Sequence, residues 1–152
     1  MDEALIGNLK EVLQSGDIVY FLGDLTFKEK KAIEFFEEFD EMEIQYIIGN
    51  HDTKKILKIA NNYCATVSHL KEIKIEEQSI TLCHYAMRVW NKSHFNAWQL
   101  YGHSHGTLNP IGKQYDVGVD KNSFKPVSFK NLKETMYTLP DNFNYISNRK
   151  KG

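Results

Sequence analysis

Short apolar stretches of this chain repeatedly end at polar side chains of the kind that bind metal ions. They lead into four loops, three of which place a glycine beside the polar residue: Gly23-Asp24, Gly49-Asn50-His51-Asp52, His84 and Gly102-His103-Ser104-His105. Glycine lets the backbone turn sharply after a strand. In α/β sheets, ligands bind in the crevice at the carboxyl ends of the strands. The pattern therefore predicts an α/β domain whose functional site is built from these loops.

The first two loops belong to a predicted βαβ unit. Residues 17–22 are apolar and rich in β-branched and aromatic side chains, which predicts a strand that is buried on both faces. Residues 28–39 mix apolar and charged side chains at helical spacing, and residues 43–48 form a second predicted strand. Both loops then follow the carboxyl ends of strands in the same sheet.

The remaining sequence completes a single predicted domain. The patterns predict a helix at 2–14 capped by Asp2, a helix at 54–63, a hairpin of strands 73–76 and 80–83, strands at 97–101 and 115–119, and a short helix capped by Ser128. Residues 86–96 lack a clear period and are interpreted as a loop. We find no internal repeat or linker, so we predict one domain over residues 1–137 and a C-terminal tail over 138–152.

Length and charge exclude several classes of protein. A chain of 152 residues is long enough for one domain with its own hydrophobic core. Nineteen basic and 20 acidic residues give a net charge of −1, so nucleic acid is expected only as a substrate. The longest apolar run, residues 18–22, is far too short for a membrane span, and no signal peptide is visible. We therefore expect a cytoplasmic protein without a membrane partner.

The donor atoms in the four loops restrict the choice of metal. Carboxylate, amide oxygen and imidazole together suit borderline divalent ions such as Mn, Fe, Zn, Ni or Co. Cys64 and Cys83 lie outside these loops, which argues against thiolate ligation. Alternation along a strand places His103 and His105 on one side and Ser104 on the other, so the two imidazoles are expected to bind one metal or two adjacent ones.

Each motif on its own has an ordinary structural explanation. A single Gly-Asp pair after a strand is usually a turn, and an isolated histidine such as His84 more often packs in or beside a core. His69 and His94 lack a motif and are interpreted as ordinary loop or surface residues. The segment 49–52 is harder to explain, because Asn, His and Asp are costly to bury without partners. The joint occurrence of the four loops therefore favours a functional site.

The motifs, in this order, resemble those of the calcineurin-like metallophosphoesterases. The later segment 116–120, Asp-Val-Gly-Val-Asp, also resembles the small bacterial and phage members of that family. The resemblance extends from about residue 17 to residue 129. It implies a four-layer αββα sandwich and the hydrolysis of phosphomonoesters or phosphodiesters at a two-metal centre.

The resemblance also implies a role for each loop residue. Asp24 would bridge two metals, His105 would belong to the first metal site, and the second site would be completed by Asn50, His84 and His103. His51 would be the general acid that protonates the leaving oxygen, and Asp52 would orient it. These roles agree with the chemistry of the side chains, because a carboxylate can share its lone pairs between two metals and an imidazole exchanges protons near neutral pH.

One family motif has no counterpart in this sequence. The family begins with a strand carrying Asp-x-His, which supplies the rest of the first metal site, whereas here only Asp2 and Asp17 precede Asp24. A start at an internal methionine, a natural one-metal or inactive interaction module, and ligands donated by a second copy are three explanations, of which we favour the first. We expect at most about one tightly bound ion per chain. Because a missing strand would expose a sheet edge, we also expect self-association.

Overall fold

A computed structural model describes residues 3–26, 28–118, 122 and 125–146. Over these residues the chain forms α1 (Glu3–Val12), β1 (Ile18–Phe21), α2 (Glu29–Glu38), β2 (Glu43–Ile47), α3 (Lys54–Tyr63), β3 (Thr66–Ser68), β4 (Leu70–Ile75), β5 (Gln78–Cys83), β6 (Trp98–Tyr101), β7 (Gln114–Asp116) and α4 (Phe129–Thr138), with a short 3-10 turn at Ser93–Phe95. None of the described helices has the length and apolarity that crossing a membrane requires.

The first sheet is parallel, with strand order β1-β2-β3. Its register pairs Val19 with Ile44 and Tyr46 with Val67. This arrangement confirms the predicted βαβ unit of β1, α2 and β2. The strand β3 was not predicted, because its three residues, Thr-Val-Ser, are too few to establish a period.

The prediction that the first strand is buried on both faces is wrong. Among the described residues, β1 lies at the edge of its sheet, and Ile18 is 54% exposed. Val19, Tyr20 and Phe21 are half-buried rather than buried. An apolar run indicates a strand, but its burial depends on which strands pair beside it, and the run itself does not contain that information.

The second sheet is mixed, with strand order β4-β5-β6-β7. The hairpin of β4 and β5 turns at Glu76-Glu77, where both residues have positive φ, and confirms the predicted pair of alternating strands. The strands β5, β6 and β7 are parallel to one another. Because β5 and β6 run in the same direction, His84 and Gly102 emerge at the same edge of this sheet.

Helices cover one face of the first sheet, and the second sheet lies on the other. The strand residues Ile44 and Tyr46 share a buried cluster with α1, α2 and α3 through Leu9, Ala32, Phe35, Phe36, Ile56 and Ala60. On the opposite face, Ile47 packs with Ile80, Leu82, Trp98 and Leu100 of the second sheet and with Leu132 and Met136 of α4. The chain is thus an α/β protein with two sheets flanked by helices.

Polar side chains on the other face of the second sheet hold the loop 85–97. The amide of Gln99 donates to the carbonyl of Tyr85 at 3.2 Å, and the amide of Gln114 donates to the carbonyl of Met87 at 2.5 Å. Both glutamines are buried, so these bonds satisfy polar groups that would otherwise be costly. They also fix the segment that immediately follows His84.

The described part of the predicted C-terminal tail is packed against the domain. Ser128 caps α4 as expected, because its hydroxyl accepts a hydrogen bond from the Asn131 amide at 3.1 Å. After α4, the buried side chain of Asn142 accepts from the Lys113 amide at 2.7 Å and donates to the carbonyls of Ser93 and Ala97. Asp2, Val119, Asp120 and the end of the tail lie outside the described residues.

Candidate metal centre

The four loops singled out in the sequence follow β1, β2, β5 and β6 at the carboxyl ends of these strands. Because the two sheets pack face to face, the loops meet at one end of the molecule. Asp24, His84 and His103 present donor atoms that all lie within 4.8 Å of one another. The structure thus brings together a carboxylate and two imidazoles from loops that are far apart in the sequence.

Two glycines allow the first two loops to touch. Gly23 has a φ of +88°, and a Cβ atom placed on it would lie 2.6 Å from the Cα of Gly49 and 2.9 Å from Nδ1 of His84. A Cβ atom on Gly49 would overlap the carboxylate of Asp24 and lie 2.8 Å from its backbone nitrogen. Side chains at either position would separate the loops, which explains why these two loops need their glycines.

Asp24 adopts a left-handed conformation, with a φ of 56°. Aspartate tolerates this region better than most residues that carry a Cβ atom. One carboxylate oxygen, Oδ1, accepts a hydrogen bond from the backbone nitrogen of His51 at 2.8 Å, and the other, Oδ2, lies 3.1 Å from Nε2 of His84. The backbone turn therefore directs the carboxylate from the end of β1 towards the loops that carry His51 and His84.

His84 is 2% exposed, and both of its ring nitrogens face oxygen atoms. Nδ1 lies 2.6 Å from the carbonyl oxygen of Leu22, which can only accept, so Nδ1 carries a proton. Nε2 lies 2.9 Å from Oδ1 of Asn50 and 3.1 Å from Oδ2 of Asp24. With its proton on Nδ1, the neutral ring has a lone pair on Nε2. This lone pair faces two oxygen atoms, Oδ1 of Asn50 and Oδ2 of Asp24.

His103 approaches the same oxygen of Asn50. Its Nδ1 lies 3.2 Å from Oδ1 of Asn50, and its ring is 5.1 Å from that of His84, edge to face. A cation placed between the two ring nitrogens and the side-chain oxygens of Asn50 and Asp24 would satisfy all four donor atoms. The donor set of one carboxylate, one amide oxygen and two imidazoles therefore fits a borderline divalent metal.

The carboxylate of Asp52 fastens the two glycine loops together. Its Oδ2 accepts hydrogen bonds from the backbone nitrogens of Asp24, at 3.1 Å, and Gly49, at 2.8 Å. Its Oδ1 accepts from the hydroxyl of the fully buried Tyr46 at 2.8 Å. Burial and the neighbouring Asp52 carboxylate, in that order, raise the pKa of Tyr46 far above its usual value, so this hydroxyl remains a donor.

A family profile described as the calcineurin-like phosphoesterase superfamily domain matches residues 2–115. The chain belongs to this superfamily. It is also 35% identical over 138 residues to an uncharacterized protein of Methanocaldococcus jannaschii, an alignment that covers 84% of this chain and 70% of that protein. The resemblance inferred from the loop motifs is thereby confirmed.

A solved structure shares the fold of this superfamily member. The crystal structure of a protein of unknown function from Aquifex aeolicus matches with a TM-score of 0.68 and 22% sequence identity. The match covers 87% of this chain and 83% of the other. At this level of identity the likeness concerns the fold, and it agrees with the two packed sheets described above.

His105 of this calcineurin-like domain lies outside the group formed by Asp24, His84 and His103. The expectation that strand alternation aligns His103 with His105 is wrong, because β6 ends at Tyr101 and both histidines have left-handed φ values, 61° and 49°. His105 is exposed, as are Asn50, His51 and His103, while Asp24 and Asp52 are half-buried. The candidate centre is therefore open to solvent on the side of His103.

Three residues near the centre of this phosphoesterase domain received no ligand or catalytic role from the sequence, although Tyr85 was expected to pack beside the histidine loops. Tyr46 could have been found from its strand, because it is two residues from the buried Ile44 and a buried hydroxyl needs a partner. The ring centroid of Tyr85 lies 5.1 Å from that of His84 and 4.8 Å from that of His103. Asp116, fully buried at the end of β7, accepts from the Gly106 amide at 2.8 Å and so holds the histidine loop.

Proposed function

We propose that this calcineurin-like phosphoesterase domain is a metal-dependent hydrolase of phosphomonoesters or phosphodiesters. The observation that carries the proposal is the convergence of Asp24 Oδ2, Asn50 Oδ1 and His84 Nε2 on one another, with His103 beside them. Membership of the superfamily suggests hydrolase chemistry, and this donor set supplies a place for the metal on which such chemistry depends.

Asp24, Asn50, His84 and His103 would hold the metal. When bound, such an ion polarises a phosphoryl oxygen and activates water near neutral pH. His105 would belong to a second metal position with Asp24 as the shared ligand, as the family resemblance implies. The hydrogen bond that Nδ1 of His84 donates to the Leu22 carbonyl keeps the proton on Nδ1 and the Nε2 lone pair directed at the site.

His51 would donate a proton to the leaving oxygen of the substrate. His51 is exposed beside Asn50, and its backbone nitrogen donates a hydrogen bond to Oδ1 of Asp24. Asp52 would orient His51 by shaping the turn 49–52, in which the Asp52 amide also bonds to the Gly49 carbonyl at 3.3 Å. In this arrangement the ligand loop and the proton donor are parts of one turn.

Turnover of a chromogenic ester tests the proposal. Protein stripped of metal and then supplied with Mn²⁺ should hydrolyse bis-p-nitrophenyl phosphate or p-nitrophenyl phosphate, and which ester it prefers assigns it as a diesterase or a monoesterase. His51→Ala should lower kcat by about a hundredfold or more while metal binding is retained. Asp24→Asn should lower both, which separates the loss of the proton donor from the loss of the ligand.

Metal binding without turnover would support the alternative of a catalytically inactive metal-binding or interaction module. The described donor atoms favour this alternative in one respect, because they form one cluster of three and His105 is outside it. Elemental analysis should find at most about one tightly bound ion per chain. If none of Mn²⁺, Ni²⁺ and Co²⁺ supports turnover, the proposal that this domain is a hydrolase is overturned.

We infer in addition that the chain self-associates through the outer edge of β1. This strand reads Ile-Val-Tyr-Phe, carries no charge and has β2 as its partner within the described residues. Exposed apolar edges of this kind pair readily with other strands. Light scattering at tens of micromolar should show a dimer or larger species, and Ile18→Lys should shift it towards the monomer. A monomeric wild-type protein at that concentration would contradict the inference.

The family's four-layer arrangement and a single domain remain our proposals for the fold, and the contacts of Asn142 extend that domain past the boundary predicted at residue 137. Two packed sheets with helices on the outer face of the first agree with the former. Limited proteolysis is a direct test of the latter, because a true domain boundary should be cleaved before the rest of the chain.

A further inference from the structure

We propose that Tyr46 is a positioning residue of the metal centre. Through the carboxylate of Asp52 and the backbone nitrogen of Leu25, its hydroxyl fixes Asp24 in the left-handed conformation that directs its carboxylate at His84. This inference rests on the proposed function in so far as it concerns metal affinity. The fixing of the Asp24 backbone itself is independent of any metal.

The hydroxyl of Tyr46 has partners on both sides of Asp24. It donates to Oδ1 of Asp52 at 2.8 Å and accepts from the backbone nitrogen of Leu25 at 3.3 Å. The other oxygen of Asp52 accepts from the backbone nitrogen of Asp24 at 3.1 Å. Two consecutive amides of the loop are therefore held, one directly by the tyrosine and one through the aspartate.

The ring of Tyr46 is held as firmly as its hydroxyl. The residue has no exposed surface, and its ring stacks on that of Phe21 with centroids 5.5 Å apart and an angle of 4° between the planes. Phe36 packs against it at 6.2 Å. A side chain fixed in this way delivers its hydroxyl to one place, which is what a positioning group requires.

Asp24 needs such support because its backbone is in a region that residues other than glycine rarely adopt. If the two amide bonds were lost, the loop could relax towards an ordinary turn and swing the carboxylate away from His84. Positioning groups behind metal ligands commonly alter metal affinity by about ten- to a hundredfold.

The chain offers a matched control in Tyr63. Its hydroxyl also donates to a carboxylate, Glu37 Oε1, at 3.0 Å, and its ring also packs on Phe36, at 5.6 Å. Tyr63 lies at the end of α3 and bonds to α2, so it supports none of the loops. Tyr46→Phe and Tyr63→Phe thus each remove one hydroxyl from a ring packed on Phe36.

Amide hydrogen exchange in the metal-free protein tests the positioning role. In Tyr46→Phe, the amides of Asp24, Leu25 and Gly49 should exchange about tenfold faster or more, while amides in the strands keep their wild-type rates. Tyr63→Phe should leave all three loop amides unchanged. Wild-type exchange at Asp24 and Leu25 in the Tyr46→Phe protein would overturn the proposal, whether or not the protein binds metal.

Calorimetric titration with Mn²⁺ tests the consequence for the centre. Tyr46→Phe should weaken Mn²⁺ binding by about tenfold or more, and Tyr63→Phe should not change it. Faster loop exchange with unchanged affinity would overturn the claim that Tyr46 serves the metal centre. If the wild-type protein binds no Mn²⁺ while the exchange result holds, the proposed function fails and the positioning of Asp24 by Tyr46 stands.

Discussion

The two regions that meet at the centre are held in different ways. In the first region, formed by the loops after β1 and β2, one carboxylate joins two loops, because Asp52 accepts from Asp24, Gly49 and the hydroxyl of Tyr46. In the second region, formed by the Gly102–Gly106 loop after β6, Asp116 accepts from the amides of Gly106 and Gly118, each at 2.8 Å. In both regions a carboxylate accepts a glycine amide, but Asp52 joins two of the ligand loops, whereas Asp116 holds one of them.

The regions also differ in how the tyrosine beside each carboxylate is used. Tyr46 is bonded to Asp52, whereas the hydroxyl of Tyr101 donates to the carbonyl of Leu108 at 3.4 Å. The first region is therefore a connected network of side chains, and the second is a turn with local bonds. The difference teaches that one half of the centre is preorganised by the core, while the exposed histidine loop has more freedom to adjust to a ligand.

Gly49→Ala should produce the largest effect, because it breaks the contact on which the first region depends. The new methyl group would overlap the carboxylate of Asp24 and push the two loops apart. We expect Mn²⁺ affinity to fall by more than about a hundredfold, together with a clear loss of thermal stability. Gly7→Ala in α1 is the control, because a Cβ atom there meets nothing within 4 Å and alanine favours the helix. Wild-type affinity in Gly49→Ala would show that the loops do not need to touch.

Replacing each carboxylate by its amide sharpens the comparison. Both oxygens of Asp116 accept N–H groups, so Asp116→Asn places an NH₂ group against one of them, at a cost of about 1–3 kcal/mol. In Asp52→Asn, the NH₂ group can donate to the hydroxyl oxygen of Tyr46, which then accepts from it and from the Leu25 amide. The cost that remains is the lost acceptor of the tyrosine O–H, so it should be smaller, about 1 kcal/mol. Urea unfolding of both variants measures the difference. If Asp52→Asn costs as much unfolding free energy as Asp116→Asn or more, the side-chain network around Asp52 decides the cost, and the number of N–H groups that each carboxylate accepts does not.

The alkaline titration of Tyr101 should have the smallest effect at neutral pH, because the folded and the unfolded chain both keep this proton there. Burial first, and then the nearby Asp116 and Tyr115, raise the pKa of Tyr101 from 10.0 to about 12. The folded state keeps this proton when the unfolded chain has lost it, so stability should fall as the pH rises from about 10 towards 12. Unfolding free energies across that window should decline less steeply in Tyr101→Phe. An identical slope would assign the decline to other groups.

The positions of the loops could be predicted because local signals mark them. Glycine and polar ligands interrupt apolar strands, and the structure places all four loops at strand ends, as the sequence indicated. The helix predicted at 54–63 has the bounds that the structure shows, and in the structure the hydroxyl of Thr53 caps its first turn. Features of this kind depend on neighbours in the chain, which the sequence displays directly.

The predictions that failed depend on partners distant in the sequence or on a local departure from regular backbone. The burial of β1 depends on strand order, and the alignment of His103 with His105 fails because the backbone leaves the extended conformation. The position of Tyr46 next to Asp52 also requires a turn between β2 and α3 that brings residues 46 and 52 together. No pattern of hydrophobicity contains this geometry.

Asn142 has a practical consequence for anyone shortening this protein. Its one side chain ties residues after the last described helix to Ser93 and Ala97, in the loop before β6, and to Lys113, directly before β7. A chain cut at Thr138 would keep every helix and strand that the structure describes, yet would leave those three backbone groups without the hydrogen bonds of Asn142. The segment after α4 that carries Asn142 therefore stabilises the loops before β6 and β7, and the smallest unit that folds well should include it.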